Sequence, residues 1–392
     1  MDPDLSPLDA HLTDRGADGY LVYADSEDAD QYYLSGFDAP DPFVTLYDGD
    51  VRLLFARSLE YGRARSESRA ATVERMTDFG HQQLTEEHGR HEATDRALAH
   101  FLDSHSVDSV VTPPRFPLRA ADGLREQGVT VEADDESVVT GVRATKTDEE
   151  IDHVRTAQRA NEAAMARAEQ LITGASVDDG GRLLHEGEPL TSEQVRGEIE
   201  MELLGHGCAL DETIVACGRD AADPHDRGSG PLLADEPIIV DIFPQSKATK
   251  YHADMTRTFL RGEADETIRE WYDLTAEAKA AALDAVEPGV TGEAVHDAVC
   301  DVYEDAGLPT LRSDGSAETG FIHSTGHGVG LAVHELPRVG PGGGELEPSH
   351  VVTIEPGLYD PEIGGVRIED IVVVTEDGYE NFTDYPQELV VG

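Results

Sequence analysis

The stretch PIIVDIFPQSKATKYHADMTRTFL, residues 237–260, consists of two strand-like runs joined by a polar turn. Asp241 interrupts the first run directly after three apolar residues, and Glu355 and Glu369 stand in the same way among aliphatic residues of two later stretches. A carboxylate inside a run that should be core must be paired or metal-bound, since burying it alone is very costly. Three such carboxylates in a chain with few basic residues therefore indicate a metal site.

Two further candidate residues, His327 and His334, lie in a glycine-containing stretch later in the chain. HSTGHGVGLAVHE, residues 323–335, sets His327 in a glycine-flanked turn and His334 seven residues later on an expected strand. Its glycines at positions 326, 328 and 330 let the backbone approach a site closely. Carboxylates together with an imidazole make a hard, oxygen-rich ligand set. Such a set suits a pair of Mn²⁺, Co²⁺ or Zn²⁺ ions better than one zinc in a thiolate cage.

Charge is the most unusual global property of the chain. Its 392 residues include 80 acidic and 30 basic side chains, for a formal net charge of -50, and only four of the basic residues are lysines. This self-repulsion opposes compaction in dilute buffer, whereas at molar salt the Debye length shrinks to roughly 3 Å and screens most of it. The lysine-poor composition therefore predicts a halophilic protein. Because no basic patch occurs, the sequence predicts no nucleic-acid partner.

The sequence also predicts the compartment. No run approaches about 18 consecutive apolar residues, and the N-terminus lacks a basic region followed by an apolar one, so neither a membrane span nor a secretion signal is expected. Cys208, Cys217 and Cys300 form no metal-type pair and are expected to be small buried residues in a reducing environment. We therefore expect a cytoplasmic protein with no membrane partner.

The length favours two domains, which we place at residues 1–142 and 143–392. Thr147 is the expected N-cap of the first helix of the second domain, and the turn-rich segment 174–193 is expected to be a loop. In the first domain the pattern predicts strands at 19–24 and 108–114, a hairpin at 45–55 with its turn at 48–50, and a helix at 91–105. In the second it predicts helices at 147–172, 191–207, 266–286 and 292–307, and strands at 237–243, 251–260, 351–359 and 366–375.

Four motifs in this order carry a family resemblance: VDIFPQSKATKYHADMTRTF, GHGVGLAVHE, TIEPGLY and VRIED. They resemble the metal-site motifs of the pita-bread metallopeptidases, which include Xaa-Pro dipeptidases, Xaa-Pro aminopeptidases and methionine aminopeptidases. The resemblance extends over residues 146–392, and the N-terminal part is similar in layout to the smaller domain of the Xaa-Pro and creatinase branch. It implies an α+β protein with two α/β-type domains, a C-terminal pita-bread domain and a smaller N-terminal creatinase-like domain.

Carried over position by position, the resemblance implies five metal ligands. They are Asp241, Asp254, His327, Glu355 and Glu369, with Glu369 bridging two divalent ions, Mn²⁺ being preferred over Co²⁺ or Zn²⁺. The interval from Asp241 to Asp254 is 13 residues, longer by two than is usual in the family. A longer hairpin would absorb this difference and keep side-chain parity, because two residues restore the same face of a strand.

The resemblance also implies residues on the substrate side of the site. LDETIVACGRDAADPHDRGSG, residues 210–230, resembles the family segment whose histidine approaches the substrate, and this histidine is His225. His334 is expected to hydrogen-bond the substrate carbonyl or the tetrahedral intermediate, and Glu355 to take up and pass on a proton. For Arg367, a catalytic role and a structural ion pair both remain open. Residues expected to orient the ligands or to be structural are Thr256, Thr353, His252 and His323.

The function implied is hydrolysis of the bond between an N-terminal residue and proline by a metal-bridging hydroxide. The substrates would be small peptides with proline in second position, and the enzyme a homodimer, as is usual in the family. Two alternatives remain open, a creatinase-like C–N hydrolase or lyase and a non-catalytic pita-bread module that binds protein partners. Both are expected to show eroded metal ligands, so metal content distinguishes them from the peptidase.

Overall fold

A computed structural model describes residues 3–392 of the chain. The chain divides between Arg143 and Ala144 into two compact units. None of the helices in the described range is both long and apolar enough to cross a lipid bilayer.

The N-terminal unit is built around a mixed six-stranded sheet. Its strands are β1 (Gly19–Ala24), β2 (Phe43–Tyr47), β3 (Val51–Phe55), β4 (Thr72–Arg75), β5 (Ser109–Thr112) and β6 (Thr130–Ala133). They lie in the order β4-β3-β2-β1-β5-β6. The central pairs β1–β2 and β2–β3 are antiparallel, and the outer pairs are parallel. The predicted hairpin at 45–55 is confirmed as β2 and β3.

Seven helices accompany this sheet. They are α1 (Ser6–Arg15), α2 (Ala29–Ser35), α3 (Tyr61–Glu67), α4 (His81–His88), α5 (Arg90–Ser104), α6 (Leu118–Glu126) and α7 (Val138–Ala144), with a 3-10 turn at Met76–Phe79. The predicted helix at 91–105 is confirmed as α5. Its apolar residues Leu98, Phe101 and Leu102 are buried in one core with Leu21 and Val110 of the sheet, so the amphipathic spacing accounts for its packing.

The C-terminal unit contains four long helices. They are α8 (Asp148–Gly174), α9 (Ser192–Gly205), α10 (Glu266–Ala285) and α11 (Gly292–Asp305). The predicted cap of α8 is confirmed, because Thr147 accepts a hydrogen bond from the Glu150 N–H while the Glu150 carboxylate accepts one from the Thr147 N–H. This reciprocal arrangement satisfies two donors that a helix otherwise leaves unpaired.

Short strands make up the rest of the C-terminal unit. They are β7 (Ser176–Val177), β8 (Leu183–His185), β9 (Glu188–Pro189), β10 (Cys208–Ala209), β11 (Thr213–Cys217), β12 (Ile238–Ile242), β13 (Gln245–Ser246), β14 (Met255–Phe259), β15 (Gly326–Gly328), β16 (Glu335–Val339), β17 (Val351–Ile354), β18 (Gly357–Asp360), β19 (Gly364–Arg367), β20 (Asp370–Thr375) and β21 (Gly378–Asn381), with a 3-10 turn at Asp220–Ala222. The two main sheets have the orders β11-β12-β14 and β16-β15-β17-β20-β21, and the smaller ones are β7-β8-β9, β10-β13 and β18-β19.

Two apolar cores position these sheets. The first joins α8 and α9 to β12 and β14 through residues such as Met165, Ile199 and Val240. The second joins α10 and α11 to β17 and β20 through residues such as Trp271 and Val299. Each main sheet therefore carries a helix pair.

Several predicted elements differ from the observed ones. The segment 174–193, expected to be a loop, contains the β7-β8-β9 sheet, whose tight turn places Glu186 and Gly187 at positive φ, as a two-residue hairpin turn requires. The strand expected at 251–260 covers only Met255–Phe259. The stretches 351–359 and 366–375 each break into two strands in different sheets. The first breaks beside Pro356, which has no N–H to donate to a ladder.

Candidate metal centre

The five predicted ligands all lie on or beside strands of the C-terminal unit. Asp241 is on β12 and His327 on β15, Asp254 directly precedes β14, Glu355 directly follows β17, and Glu369 directly precedes β20. Three of the five are therefore at strand ends, where a side chain can leave the pleated surface. The breaks that divide the two predicted strands fall at the two glutamates.

The polar hairpin between β12 and β14 accommodates its longer loop with an additional strand. Gln245 and Ser246 form β13, which pairs with β10. In the β12–β14 ladder Asp241 is the partner of Thr256, so their side chains lie on one face of the sheet. Asp254 is two residues before Thr256. The spacing therefore places both aspartates toward one face, as the parity argument predicts.

Three of the five predicted ligands lie close enough together to hold one ion. Asp254, His327 and Glu369 can each present one ligand atom, and these atoms all lie within 4.8 Å of one another. His327 Nε2 is 3.8 Å from Asp254 Oδ2 and 3.2 Å from Glu355 Oε1. The Gly328 carbonyl oxygen, 3.2 Å from His327 Nδ1, can only accept a hydrogen bond, so Nδ1 carries a proton. His327 Nε2 shares a second proton with Glu355 Oε1, and a bound ion would take the place of that proton.

Asp241 and Glu369 each keep one oxygen in place and leave the other open. Asp241 Oδ2 accepts a hydrogen bond from Arg367 Nη2 at 2.6 Å, and Glu369 Oε2 accepts one from the Thr256 hydroxyl at 2.7 Å. Their other oxygens, Oδ1 and Oε1, are buried without a hydrogen-bond partner among the described residues. Buried carboxylate oxygens are normally satisfied, so these two atoms fit a site for cations.

The pKa shifts of the clustered carboxylates also favour bound cations. Burial, followed by repulsion from neighbouring carboxylates, raises the pKa of Asp254 and Glu369 well above the usual values. Burial also raises the pKa of Asp241, although Arg367 opposes it. Burial acts to raise the pKa of Glu355 too, but the hydrogen bond and charge of His327 outweigh it and lower that pKa to about 2. Several buried carboxylates so close together need positive charge, which divalent ions supply.

A chain of hydrogen bonds leads from Asp241 to the histidine-bearing segment. Arg367, 3% exposed, donates to Asp241, to the Tyr359 hydroxyl at 2.8 Å and to the Thr256 hydroxyl at 3.2 Å. Tyr359 in turn donates to His323 Nε2 at 3.0 Å, since His323 Nδ1 donates to the Ser324 carbonyl at 2.7 Å. The structure thus shows the ion pair of Arg367, one of its two predicted roles, and shows His323 held in this chain.

Two further histidines lie beside the cluster on its exposed side. The rings of His334 and His327 have centroids 4.3 Å apart at an interplanar angle of 75°. His334 is exposed and stands in the turn before β16, so its predicted place on a strand is wrong. His225 is an exposed loop residue whose neighbour Pro224 accepts a hydrogen bond from Arg367 at 3.5 Å. Thr353 accepts from the His327 N–H at 3.0 Å and donates to Glu355 at 3.2 Å.

Sequence reasoning missed three residues that support the cluster. The first is Tyr359, which links Arg367 to His323. Arg257, 1% exposed, donates to the carbonyl oxygens of Thr256 and Glu369 and to the Asp370 carboxylate. Asp370 also accepts from Lys279 and Asn381. A signal existed, because Arg257 and Asp370 are charged residues on apolar strands, the same criterion that singled out Asp241.

The fold and the cluster together define a metallopeptidase with an additional N-terminal domain. The profile of the Metallopeptidase family M24 matches residues 152–376, and that of the Creatinase/Prolidase N-terminal domain matches residues 5–155. The chain belongs to metallopeptidase family M24.

Individual relatives agree with this assignment. The chain is 36% identical over 256 residues to the probable dipeptidase PepE of Mycobacterium tuberculosis, a match that covers 65% of the chain and 62% of the relative's length. It is 28% identical over 365 residues to the Xaa-Pro dipeptidase of Pyrococcus furiosus, covering 92% of each chain. Among solved structures, the prolidase of Pyrococcus horikoshii OT3 superposes with a TM-score of 0.80 at 25% identity, covering 98% of this chain and 99% of that one.

Proposed function

We propose that this protein hydrolyses the peptide bond that precedes proline in small peptides, as an Xaa-Pro dipeptidase or aminopeptidase. The observation that carries the proposal is the cluster of five acidic and imidazole side chains, in which Asp241 and Glu369 each keep one buried oxygen open. The family membership and the Xaa-Pro dipeptidase of Pyrococcus furiosus, similar over 92% of both chains, support the choice of reaction.

Within this proposal, Asp241, Asp254, His327, Glu355 and Glu369 would hold two divalent ions. Such ions polarise the scissile carbonyl and activate water. The oxygen-rich ligand set supports Mn²⁺ as the resident metal, with Co²⁺ or Zn²⁺ as alternatives. The creatinase-like and non-catalytic alternatives are less well supported, because all five ligand positions are intact.

The remaining residues have roles that follow from their surroundings. Glu355 lies within the cluster, 3.2 Å from His327 Nε2, and is the carboxylate that would accept a proton from water and pass it to the leaving amine. Although His334 reaches solvent, partial desolvation by the surrounding site, followed by the nearby His327, lowers its pKa. It therefore offers a neutral imidazole to hydrogen-bond the substrate carbonyl. His225, in the exposed loop beside Pro224, would contact the substrate. Arg367 is buried against Asp241 and would position that ligand.

The test is a panel of matched peptides assayed with added Mn²⁺ in molar KCl. We expect Xaa-Pro dipeptides to be cleaved and the matched Xaa-Ala dipeptides to be ignored, because a pocket shaped for the proline ring discriminates by shape and by unpaired polar groups. Xaa-Pro tripeptides in the same panel separate a dipeptidase from an aminopeptidase. Equal kcat/KM for Xaa-Pro and Xaa-Ala, or a preference for N-terminal methionine, would contradict the proposal.

Further properties are proposed on separate grounds. The net charge of -50 supports a halophilic protein, and the three free cysteines support a cytoplasmic location. Residues 1–142 and 143–392 are proposed as the domains, supported by the division beside Arg143 and by the two family matches. We also propose a homodimer, which sedimentation in molar KCl tests directly.

A further inference from the structure

Glu335, the residue that follows His334 in the chain, forms a buried ion pair with Lys146. Lys146 Nζ donates to Glu335 Oε1, and the two side chains are 1% and 2% exposed. Lys146 is one of only four lysines in the chain. A buried ion pair is weak evidence for stability, since an apolar pair of similar volume is often as stable. The use of one of so few lysines in this pair therefore points to a role other than stability.

Glu335 organises the loop 329–334 that links His327 to His334. Its second oxygen accepts a hydrogen bond from the Ala332 N–H at 3.4 Å. A Cβ on Gly330 would lie 2.1 Å from Glu335 Oε1, so a side chain at position 330 would displace this carboxylate. The Gly330 N–H donates to the Ala332 carbonyl, and the Gly330 carbonyl accepts from the His252 N–H at 2.7 Å. The loop is thus folded around the Glu335 side chain.

Lys146 offers a fixed anchor for this arrangement. Its backbone N–H donates to the Ser349 carbonyl at 3.1 Å, and Thr145 forms a bridge with His350. Both partners directly precede β17, the strand that leads to Glu355. The ion pair therefore ties the loop to the strand that carries a predicted ligand.

His334 depends on this backbone for its orientation. Its side chain is exposed, whereas that of Glu335 points inward. The His334 ring packs edge-on against the His327 ring, and within residues 3–392 no hydrogen bond fixes its imidazole. Rotation or displacement of the chain at Glu335 would move the imidazole away from the cluster.

We propose that Glu335, held by Lys146, is a positioning residue that fixes His334 toward the substrate carbonyl. The inference rests on the proposed function, in which His334 contacts the substrate. Glu335 touches neither substrate nor metal and acts through its neighbour.

The test replaces the pair by uncharged residues in the Lys146→Met/Glu335→Gln variant. Its melting temperature should return close to that of the wild type, while each single variant melts lower because it leaves one buried charge unpaired. Its kcat/KM should nevertheless stay roughly 10- to 100-fold below wild type, mainly through kcat, because a displacement of about 1 Å can cost that much. The partly exposed pair Arg167–Glu198 gives the matched control, Arg167→Met/Glu198→Gln, which should change neither quantity.

Coupling to His334 distinguishes positioning from a merely structural role. If Glu335 acts through His334, the Lys146→Met/Glu335→Gln substitutions should lower kcat/KM no further in a protein that already carries His334→Ala. The two losses then do not add. Full additivity would overturn the inference. Should the double variant not fold, Glu335→Asp retains the charge but shortens the reach, and the same cycle with His334→Ala applies.

A readout that needs no substrate separates this inference from the proposed function. In ¹³C-histidine spectra of the Zn²⁺-loaded protein, the His334 signal is identified by its loss in His334→Ala. It should shift or broaden in Lys146→Met/Glu335→Gln, while the His225 signal stays in place. An unchanged His334 signal would refute the positioning role, whereas an unreactive wild type with a shifted signal would refute only the Xaa-Pro assignment.

Discussion

Thr256→Val removes one hydroxyl that two charged groups of the cluster share. The Thr256 hydroxyl donates to Glu369 at 2.7 Å and accepts from Arg367 Nε at 3.2 Å. Valine has nearly the same shape, so the site, which is fully buried at this residue, gains no cavity. The variant therefore isolates the polar support of Glu369.

The expected magnitude follows from these two contacts. Each is a hydrogen bond to a charged group, worth about 1.5–3 kcal/mol. Loss of a partner that orients a metal ligand typically weakens metal binding by about 10- to 100-fold, which corresponds to about 1.4–2.8 kcal/mol of binding free energy. We expect this loss of affinity for Mn²⁺ together with a lower melting temperature.

The assay is competition with a fluorescent chelator in molar KCl, with Thr258→Val as the matched control. Thr258 is equally buried on β14, but its hydroxyl bonds the backbone N–H and carbonyl of Arg367 instead of a ligand side chain. Both variants should lose stability, and only Thr256→Val should lose metal affinity. Equal Mn²⁺ affinity in the two variants would refute the reasoning.

Three more outcomes are expected. Glu369→Ala should lose bound metal and activity together while the N-terminal unit stays folded; elemental analysis measures the metal, and full occupancy with normal turnover would contradict the assignment. Lowering KCl from about 3 M to about 0.1 M should lower the melting temperature, because weaker screening restores self-repulsion; an unchanged melting temperature would show that the acidity is not a salt adaptation of the fold. Burial, followed by the Lys146 charge, lowers the pKa of His350 to about 4, and its Nδ1 accepts the Glu347 N–H at 3.0 Å. Because this pKa lies below that of the unfolded chain, the stability from neutral His350 is complete above about pH 6.5 and is lost as the pH falls toward 4. His350→Asn keeps an acceptor without titrating, so urea unfolding of this variant should lack that part of the pH dependence, and an identical pH profile would contradict it.

The sequence by itself determined the family and the positions of the candidate ligands. Asp241, Glu355 and Glu369 were recognisable because a charge on an apolar strand is expensive unless it is used. Glycines around His327 were expected to let the backbone approach a site closely. At Gly326 the close approach is to the strand β17, since a Cβ there would lie 2.0 Å from the Thr353 carbonyl oxygen. These signals are local, so a single chain displays them without knowledge of its neighbours.

Only the tertiary structure decided which groups support the ligands. The partners of Arg257, the ion pairs of Lys146 and Lys279, and the Arg367–Tyr359–His323 chain join residues far apart in sequence, and periodicity carries no information on such pairings. Strand ends were also decided by the assembled sheets, because Glu355 and Glu369 leave the ladders where the chain passes from one sheet to another. Local sequence indicates which residues are candidate ligands, whereas the packing of distant segments determines which side chains contact them.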